Sequence, residues 1–321
     1  MLNIKFPALY CPFASGINPH ADAAGNHSLE WARSLNLVTD ESALQRLQAI
    51  KFYSLVARTY PNASLTALEI ISDYFLWLFI FDDQFEKAGI NGQIKLLEVE
   101  HARLVEILKG AELREVDTLA ARTLADICDR LHQLGGMPDL MARFAQNMEN
   151  YLQGVRWEAV NLHQGVMPNL ATYREIRAFT SGIYAYCDLL QIVDRIVLPP
   201  KVVEDGMVQR LELTTNNVMA WSNDILSVQK EVAEGKTHNL VLVLQHEYQI
   251  PLQEALDRAA ELHDAEVRTF IELSAELPSF GAEIDAHLQR YLSGLRSWMR
   301  GHLDWYLETG RYRSTETTPL S

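Results

Sequence analysis

Apolar residues recur with helical spacing along almost the whole chain. From about Asn26 onward, leucine and alanine return every three to four positions, as they do on one face of a helix. Asp40 and Ser64 are placed as N-caps, and glycine or proline follows most of the periodic segments. The pattern predicts helices at about 26–37, 40–59, 64–86, 93–109, 113–133, 138–165, 170–197, 203–233, 236–248, 251–277 and 281–308.

The same pattern indicates a single all-α domain. No pair of alternating segments with a hairpin turn occurs, and neither an internal repeat nor a low-complexity linker divides the chain. We therefore expect an N-terminal arm at residues 1–25, one helical domain at 26–309, and a polar tail at 310–321.

Composition and charge narrow the range of functions. The chain has 321 residues, of which 48% are hydrophobic and 22% charged, enough for a large core. The net charge of −14 argues against nucleic-acid binding. Three cysteines without a CxxC pair, no signal-peptide pattern and apolar runs of only about eight residues favour a cytoplasmic protein without a membrane span.

An acidic cluster follows the apolar segment 74–81, whose sequence is YFLWLFIF. Asp82, Asp83 and Glu86 stand there, and positions 82 and 86 lie about 40° apart around a helix. Like charges at this spacing repel unless a cation lies between them, and carboxylates at such a site suit Mg²⁺. The alternative is a solvated helix end that carries a few acidic residues.

A second group of oxygen ligands lies in the other half of the chain. Asn223, Ser227 and Glu231 are spaced four apart, so an amide, a hydroxyl and a carboxylate share one stripe of a helix. Asp224 lies about 100° away from this stripe and is interpreted as a supporting acid. The alternative is a set of ordinary polar positions on an amphipathic helix. Lys230 adds a cation suited to a phosphate.

The two clusters together resemble the D-D-x-x-(D/E) and N-D-x-x-S-x-x-x-E motifs of the microbial class I terpene synthases. Family habit implies a sesquiterpene synthase. Glu86 replaces the Asp of the strict first motif. Four further segments resemble family elements in the same order: Asn18-Pro19-His20, Trp157-Glu158-Ala159, the run from Tyr173 through Arg177 to Gly182, and Gly310-Arg311-Tyr312.

This resemblance implies a helical bundle around a central apolar cavity that ionises and cyclises an isoprenyl diphosphate, farnesyl diphosphate above all. It implies three Mg²⁺ ions, two at the first motif chiefly through Asp82, and the third at the second motif. Whether Asp83 and Glu86 bind metal directly is left open. The residues implied for binding the diphosphate are Arg177, Lys230, Arg311 and Tyr312.

The resemblance also assigns catalytic positions around a helix break. Thr180 would be a linker, Ser181 would present its backbone carbonyl, and Gly182 would break the helix; close helix packing is the alternative for this glycine. Phe75, Phe79 and Trp305 are the expected aromatic walls for a carbocation, with Phe52, Tyr53 and Trp157 as further candidates. The segment 234–236 and the tail from 310 onward are candidate lids. Lone histidines (His163, His238, His302) are interpreted as structural.

Two other functions remain open at this point. A chain-elongating prenyl diphosphate synthase would share the fold, but it would carry a second aspartate-rich cluster in place of Asn223, Ser227 and Glu231. A non-catalytic helical interaction module would depend on neither cluster. A homodimer is common in the family and is possible here, but the oligomeric state is left open.

Overall fold

The computed structural model describes residues 4–38 and 40–312, without the side chains of Asp83, Glu86 and Ile90. This part of the chain forms fourteen helices and contains no strand, which confirms the all-α prediction. The helices are α1 (Ala21–Ser34), α2 (Glu41–Ile50), α3 (Phe52–Thr59), α4 (Leu65–Ile90), α5 (Ile94–Leu108), α6 (Leu119–Leu134), α7 (Pro138–Gln164), α8 (Leu170–Thr180), α9 (Ile183–Val193), α10 (Pro200–Val203), α11 (Gly206–Ala233), α12 (Leu240–Tyr248), α13 (Leu252–Glu276) and α14 (Ala282–Glu308).

The two predicted N-caps are confirmed. The Asp40 carboxylate accepts the backbone N–H of Ala43 at 2.7 Å, and the Ser64 hydroxyl accepts that of Ala67 at 3.3 Å. Each side chain therefore satisfies one of the donors that a helix start leaves without a partner. The helix predicted at 40–59 is nevertheless divided, because Lys51 adopts a left-handed φ of 52° between α2 and α3.

Other predicted boundaries were also wrong. The first helix begins at Ala21 rather than at about Asn26. Helix α6 begins at Leu119 rather than at 113, because the Asp117 carboxylate accepts both the Arg103 guanidinium at 2.6 Å and the Arg114 backbone N–H at 2.7 Å. These bonds stabilise a turn that offers the backbone an alternative to helix.

Helix α4 lies at the centre of the fold and packs against α1, α3, α6 and α7. Its side chains Tyr74, Leu76 and Trp77 are almost completely buried, as a helix that is apolar on most sides requires. The C-terminal halves of α4, α11 and α14 and the junction between α8 and α9 surround one end of this core. No helix in the described ranges is both long and apolar enough to cross a bilayer.

The segment before α1 is fixed to the rest of the fold. The backbone of Tyr10 donates to the Asp264 carboxylate of α13 at 2.8 Å. The Asn18 side-chain amide donates to the carbonyls of Tyr60 and Ala63 at 3.1 and 2.8 Å. Burial of Asn18 with both bonds satisfied explains how the polar residue of the Asn-Pro-His segment is accommodated.

Helix α14 approaches α3 closely at a glycine. A Cβ atom added to Gly301 would lie 2.9 Å from the backbone carbonyl carbon and oxygen of Arg58. The obstacle is backbone, so a change of rotamer cannot relieve the contact. Gly301 therefore sets the distance between α3 and the helix that carries Trp305.

We expect Gly301→Ala to lower the free energy of unfolding by about 1–3 kcal/mol, because overpacking at the α3–α14 contact outweighs the gain in helix propensity of about 1 kcal/mol. Gly206→Ala is the control, since nothing lies within 4 Å of its added Cβ. The control should be neutral or slightly stabilising. Urea denaturation of the two variants measures the difference, and equal stability would contradict the close approach.

Candidate functional site

Asp82 lies in the C-terminal half of α4, on the side that faces α7. Its carboxylate accepts the hydroxyl of Tyr151 on α7 at 2.5 Å. Tyr151 is itself buried, so this oxygen of Asp82 is held in a defined direction at the edge of the core.

The second oxygen group lies on α11, as the spacing predicted. Ser227 donates its hydroxyl to a carboxylate oxygen of Glu231 at 2.8 Å, and the other oxygen of Glu231 accepts the Asn239 amide at 2.8 Å. The Asn223 amide oxygen accepts Arg177 at 3.2 Å, while its amide nitrogen donates to the Tyr312 hydroxyl at 2.9 Å. The three predicted ligands therefore share one face of the helix and are oriented by neighbours.

Arg177 is anchored by Asp224. Its Nη2 and Nε atoms donate to one carboxylate oxygen at 2.8 and 3.1 Å. The other oxygen accepts the Tyr173 hydroxyl and the backbone N–H of Leu240, the latter at 3.0 Å. Burial alone would lower the pKa of Arg177, but the Asp224 carboxylate raises it well above its ordinary value. This geometry agrees with a supporting position for Asp224.

Two adjoining cavities meet between these groups. The first, here called the mouth, has a volume of about 190 Å³. Four acidic and four basic side chains line it. These are Asp82, Glu158, Asp224, Glu231, Arg177, Lys230, Lys236 and Arg311. The second, here called the cup, has a volume of about 200 Å³ and is lined mainly by aromatic and aliphatic side chains.

The mouth and the cup share six lining residues: Asp82, Arg177, Thr180, Asn223, Arg311 and Tyr312. The two predicted metal clusters, from opposite halves of the chain, therefore border one continuous space. A polar compartment joined to an apolar one suits a ligand with a charged head and a hydrocarbon tail.

The walls of the cup include all three predicted aromatic residues, Phe75, Phe79 and Trp305. Tyr186 and Trp298 add a stacked pair whose ring centroids are 4.8 Å apart. The guanidinium of Arg311 lies 4.7 Å from the centroid of the Phe79 ring at the boundary between the two compartments. Neither Phe52 nor Trp157 lines the mouth or the cup.

The predicted break at Gly182 is confirmed. Gly182 adopts a φ of 73° between α8 and α9, a conformation that glycine adopts without strain. The adjacent Thr180 and Ser181 line the cup. The Ser181 hydroxyl lies 2.9 Å from the amide oxygen of Asn216 on α11, which fixes the break against the helix of the second cluster.

Some predicted residues lie outside the described part of the chain. The side chains of Asp83 and Glu86 belong to this group, as do residues 313–321 of the candidate tail lid. The other candidate lid follows the end of α11, where Gly235 has a φ of 73° and Lys236 lines the mouth.

Sequence reasoning named the Trp157-Glu158-Ala159 segment of α7, but it gave Glu158 no role and did not identify Tyr151. Tyr151 lines the cup, and Glu158 lines the mouth. Burial raises the pKa of Glu158 to about 7, although the Arg177 guanidinium opposes this shift. One face of α7 borders the cup at position 151 and the mouth at positions 155, 158, 159 and 162. Their helical spacing is a signal that could have identified this face.

The residues at the mouth fit a hard divalent cation. Within the described residues, no three His, Cys, Asp or Glu side chains form a cluster, so the donors would combine carboxylate, amide and hydroxyl oxygens. Asp82, Asn223 and Glu231 all border the same cavity, and Ser227 is bonded to Glu231. An all-oxygen donor set with space beside it suits Mg²⁺, which retains waters and accepts phosphate oxygens as ligands.

Comparison with known proteins agrees with this geometry. A family model described as terpene synthase family 2, C-terminal metal binding, matches residues 73–269. Germacrene A synthase of Nostoc punctiforme is 37% identical over 321 residues, which cover 100% of this chain and 99% of that protein. The (+)-T-muurolol synthase of Roseiflexus castenholzii, described as cyclising (2E,6E)-farnesyl diphosphate, is 38% identical over 307 residues, with 96% and 94% coverage.

A solved structure shows the same fold. Germacradien-4-ol synthase from Streptomyces citricolor superposes with a TM-score of 0.83 at 24% sequence identity, covering 94% of this chain and 99% of that one.

Proposed function

The chain belongs to the class I terpene synthases, and we propose that it ionises farnesyl diphosphate and cyclises the resulting cation to a sesquiterpene. The observation that carries this proposal is the continuity of the mouth with the cup across Asp82, Arg177 and Asn223. The diphosphate occupies the mouth, and the hydrocarbon chain extends into the cup. The substrate length follows the relative that is described as cyclising farnesyl diphosphate.

Metal ions would be held by the oxygen ligands at the mouth. Asp82 would be the chief ligand of two of three Mg²⁺ ions, whether or not Asp83 and Glu86 also bind them directly, and Asn223, Ser227 and Glu231 would hold the third. When bound, the ions neutralise charge on the diphosphate and so assist its departure. They also explain how a chain with a net charge of −14 accepts an anion, because the metals reverse the local sign of the potential.

The basic residues at the mouth bind the leaving diphosphate. Arg177 is presented by Asp224 with its planar guanidinium directed by two hydrogen bonds, which suits paired contacts to phosphate oxygens. Lys230, Arg311 and Tyr312 complete this set from the ends of α11 and α14. Thr180, Ser181 and Gly182 link Arg177 to the cup, so that diphosphate binding and the position of the cation are coupled.

The cup stabilises the cation and excludes water. The faces of Phe75, Phe79 and Trp305 offer negative electrostatic potential without a nucleophile that would trap the cation. The division into arm, catalytic domain and tail, a homodimer and a cytoplasmic location stay predictions.

Incubation with Mg²⁺ and geranyl, farnesyl or geranylgeranyl diphosphate tests the function. We expect farnesyl diphosphate to give volatile C15 products by gas chromatography–mass spectrometry, and chelation of the metal to abolish them. A chain-elongating enzyme would instead consume isopentenyl diphosphate and yield a longer diphosphate. Absence of diphosphate release from all three substrates would contradict the proposal and favour a non-catalytic module.

A further inference from the structure

Helix α14 presents an unusual stripe to the cup. Trp298, His302 and Trp305 follow one another at intervals of four and three residues, and all three line the cavity. They share one face of the helix, with His302 about one turn from each tryptophan. His302 and Trp305 have ring centroids 6.0 Å apart. A cation attracted to the indole faces would therefore lie beside the imidazole.

The hydrogen bonds of His302 determine which of its nitrogens is basic. Ser222 on α11 donates its hydroxyl to the Met219 carbonyl at 2.9 Å. The Ser222 oxygen therefore accepts, and its partner at 3.1 Å is Nδ1 of His302. This network assigns the proton to Nδ1 and leaves the lone pair on Nε2.

The Nε2 atom is available on the cavity side. Among the described residues no hydrogen bond to it is found, and it is not among the polar atoms sealed in the interior, whereas Nε2 of His238 and of His263 are. Burial lowers the pKa of His302 to about 4, with His263 and Arg177 acting in the same direction. The ring is therefore neutral near pH 7 and does not repel a cation in the cup.

We propose that His302 is the base that ends the reaction, accepting through Nε2 the proton that the last carbocation loses. This role rests on the proposed function. The C–H bond beside the cationic carbon breaks, its electron pair forms the new alkene π bond, and the proton forms an N–H bond on Nε2. The imidazolium then releases its proton to water when the product leaves, which restores the neutral ring.

The cup offers no stronger neutral base than this imidazole among its described lining residues. Tyr151 and Tyr186 also line the cavity, but a phenol oxygen is a far weaker base than an imidazole nitrogen, and the Tyr151 hydroxyl is engaged with Asp82. His238 lines the mouth and stacks edge-on with Trp157, so it lies outside the cup. Diphosphate is the rival base, but it is held at the mouth.

Two variants that change the shape of the wall in different ways test the proposal. His302→Gln keeps a polar group that can donate to Ser222, and His302→Phe keeps an aromatic ring, while both remove the basic nitrogen. We expect the rate of diphosphate release from farnesyl diphosphate to stay within about threefold of the wild type. The main alkene, meaning the most abundant alkene product of the wild type, should fall at least about tenfold as a fraction of the product mixture in both variants. Alkenes formed by proton loss elsewhere, or alcohols, should replace it.

The outcomes are distinct. Retention of the main alkene in either variant overturns the role of His302 and assigns the proton to diphosphate. A wild-type product that carries oxygen from water, with no proton lost from carbon, also overturns it. Absence of diphosphate release by the wild type contradicts the proposed function itself. Ser222→Ala should give an intermediate loss of the main alkene, because the ring keeps its nitrogen but loses the partner that fixes its tautomer; an unchanged product mixture would contradict the tautomer argument.

Discussion

Replacing Asn223 with alanine is expected to lower the turnover of farnesyl diphosphate by about 10²–10³-fold, the range found when one preorganised polar group is removed from a site of charge development. Its amide oxygen lies 3.2 Å from Arg177, and its amide nitrogen lies 2.9 Å from the Tyr312 hydroxyl. The substitution removes a proposed metal ligand and releases two side chains that we propose bind the diphosphate. Asp82→Asn, on the α4 side of the same cavity, should lower turnover by a similar factor.

Stopped assays of diphosphate release measure this loss. A second measurement is the rise in melting temperature that Mg²⁺ and inorganic diphosphate cause together, which ligand binding to the folded state predicts for the wild type. Both variants should lose most of this rise. Thr215→Val is the control on the same helix, because among the described residues the Thr215 hydroxyl bonds only to the Leu211 carbonyl of its own helix. Full turnover by both site variants would contradict the assigned ligands.

Replacing Asp224 with alanine should cost about 3 kcal/mol or more of unfolding free energy, because it leaves the guanidinium of Arg177 without its partner in a buried position. The carboxylate also accepts the Tyr173 hydroxyl and the Leu240 backbone N–H, so two further donors lose their acceptor. In the double variant Asp224→Ala/Arg177→Met the buried charge is gone. We therefore expect the double variant to be more stable than Asp224→Ala alone.

Denaturant titration of the two single variants and the double variant gives the coupling between Arg177 and Asp224 directly. Glu254→Ala is the control, because its ion pair with Arg258 lies within one turn on an exposed helix face. Its loss should cost less than about 0.5 kcal/mol. Additive effects at Arg177 and Asp224 would show that the pair does not act as a unit.

Several features of the site could be predicted because they are local. Helical periodicity alone places an acidic residue, Asp82, directly after an apolar segment. It also places three oxygen ligands on one helix face, at Asn223, Ser227 and Glu231. The same holds for the break at Gly182, since an isolated glycine in a long helical pattern signals a change of backbone conformation. The start of α6 was wrong because a side chain from another helix intervenes there, where Arg103 binds Asp117.

Other residues of the site depend on contacts between distant segments, which the sequence does not reveal. Tyr151 becomes part of the site only because α7 places its hydroxyl 2.5 Å from Asp82. His302 stands alone in the sequence between apolar and charged neighbours, and only the packing of α11 against α14 gives it Ser222 as a partner.

The sequence by itself determined that this chain is helical and which helix faces carry oxygen ligands, because both follow from the spacing of residues along one segment. The tertiary structure decided which faces meet: Asp82 and Asn223 border one cavity, Asp224 orients Arg177, and the imidazole of His302 lies beside the Trp305 ring in the cup. Contacts between distant segments depend on how helices cross and approach, at points such as Gly301 and Arg58, and these distances are set by the packing of the whole core.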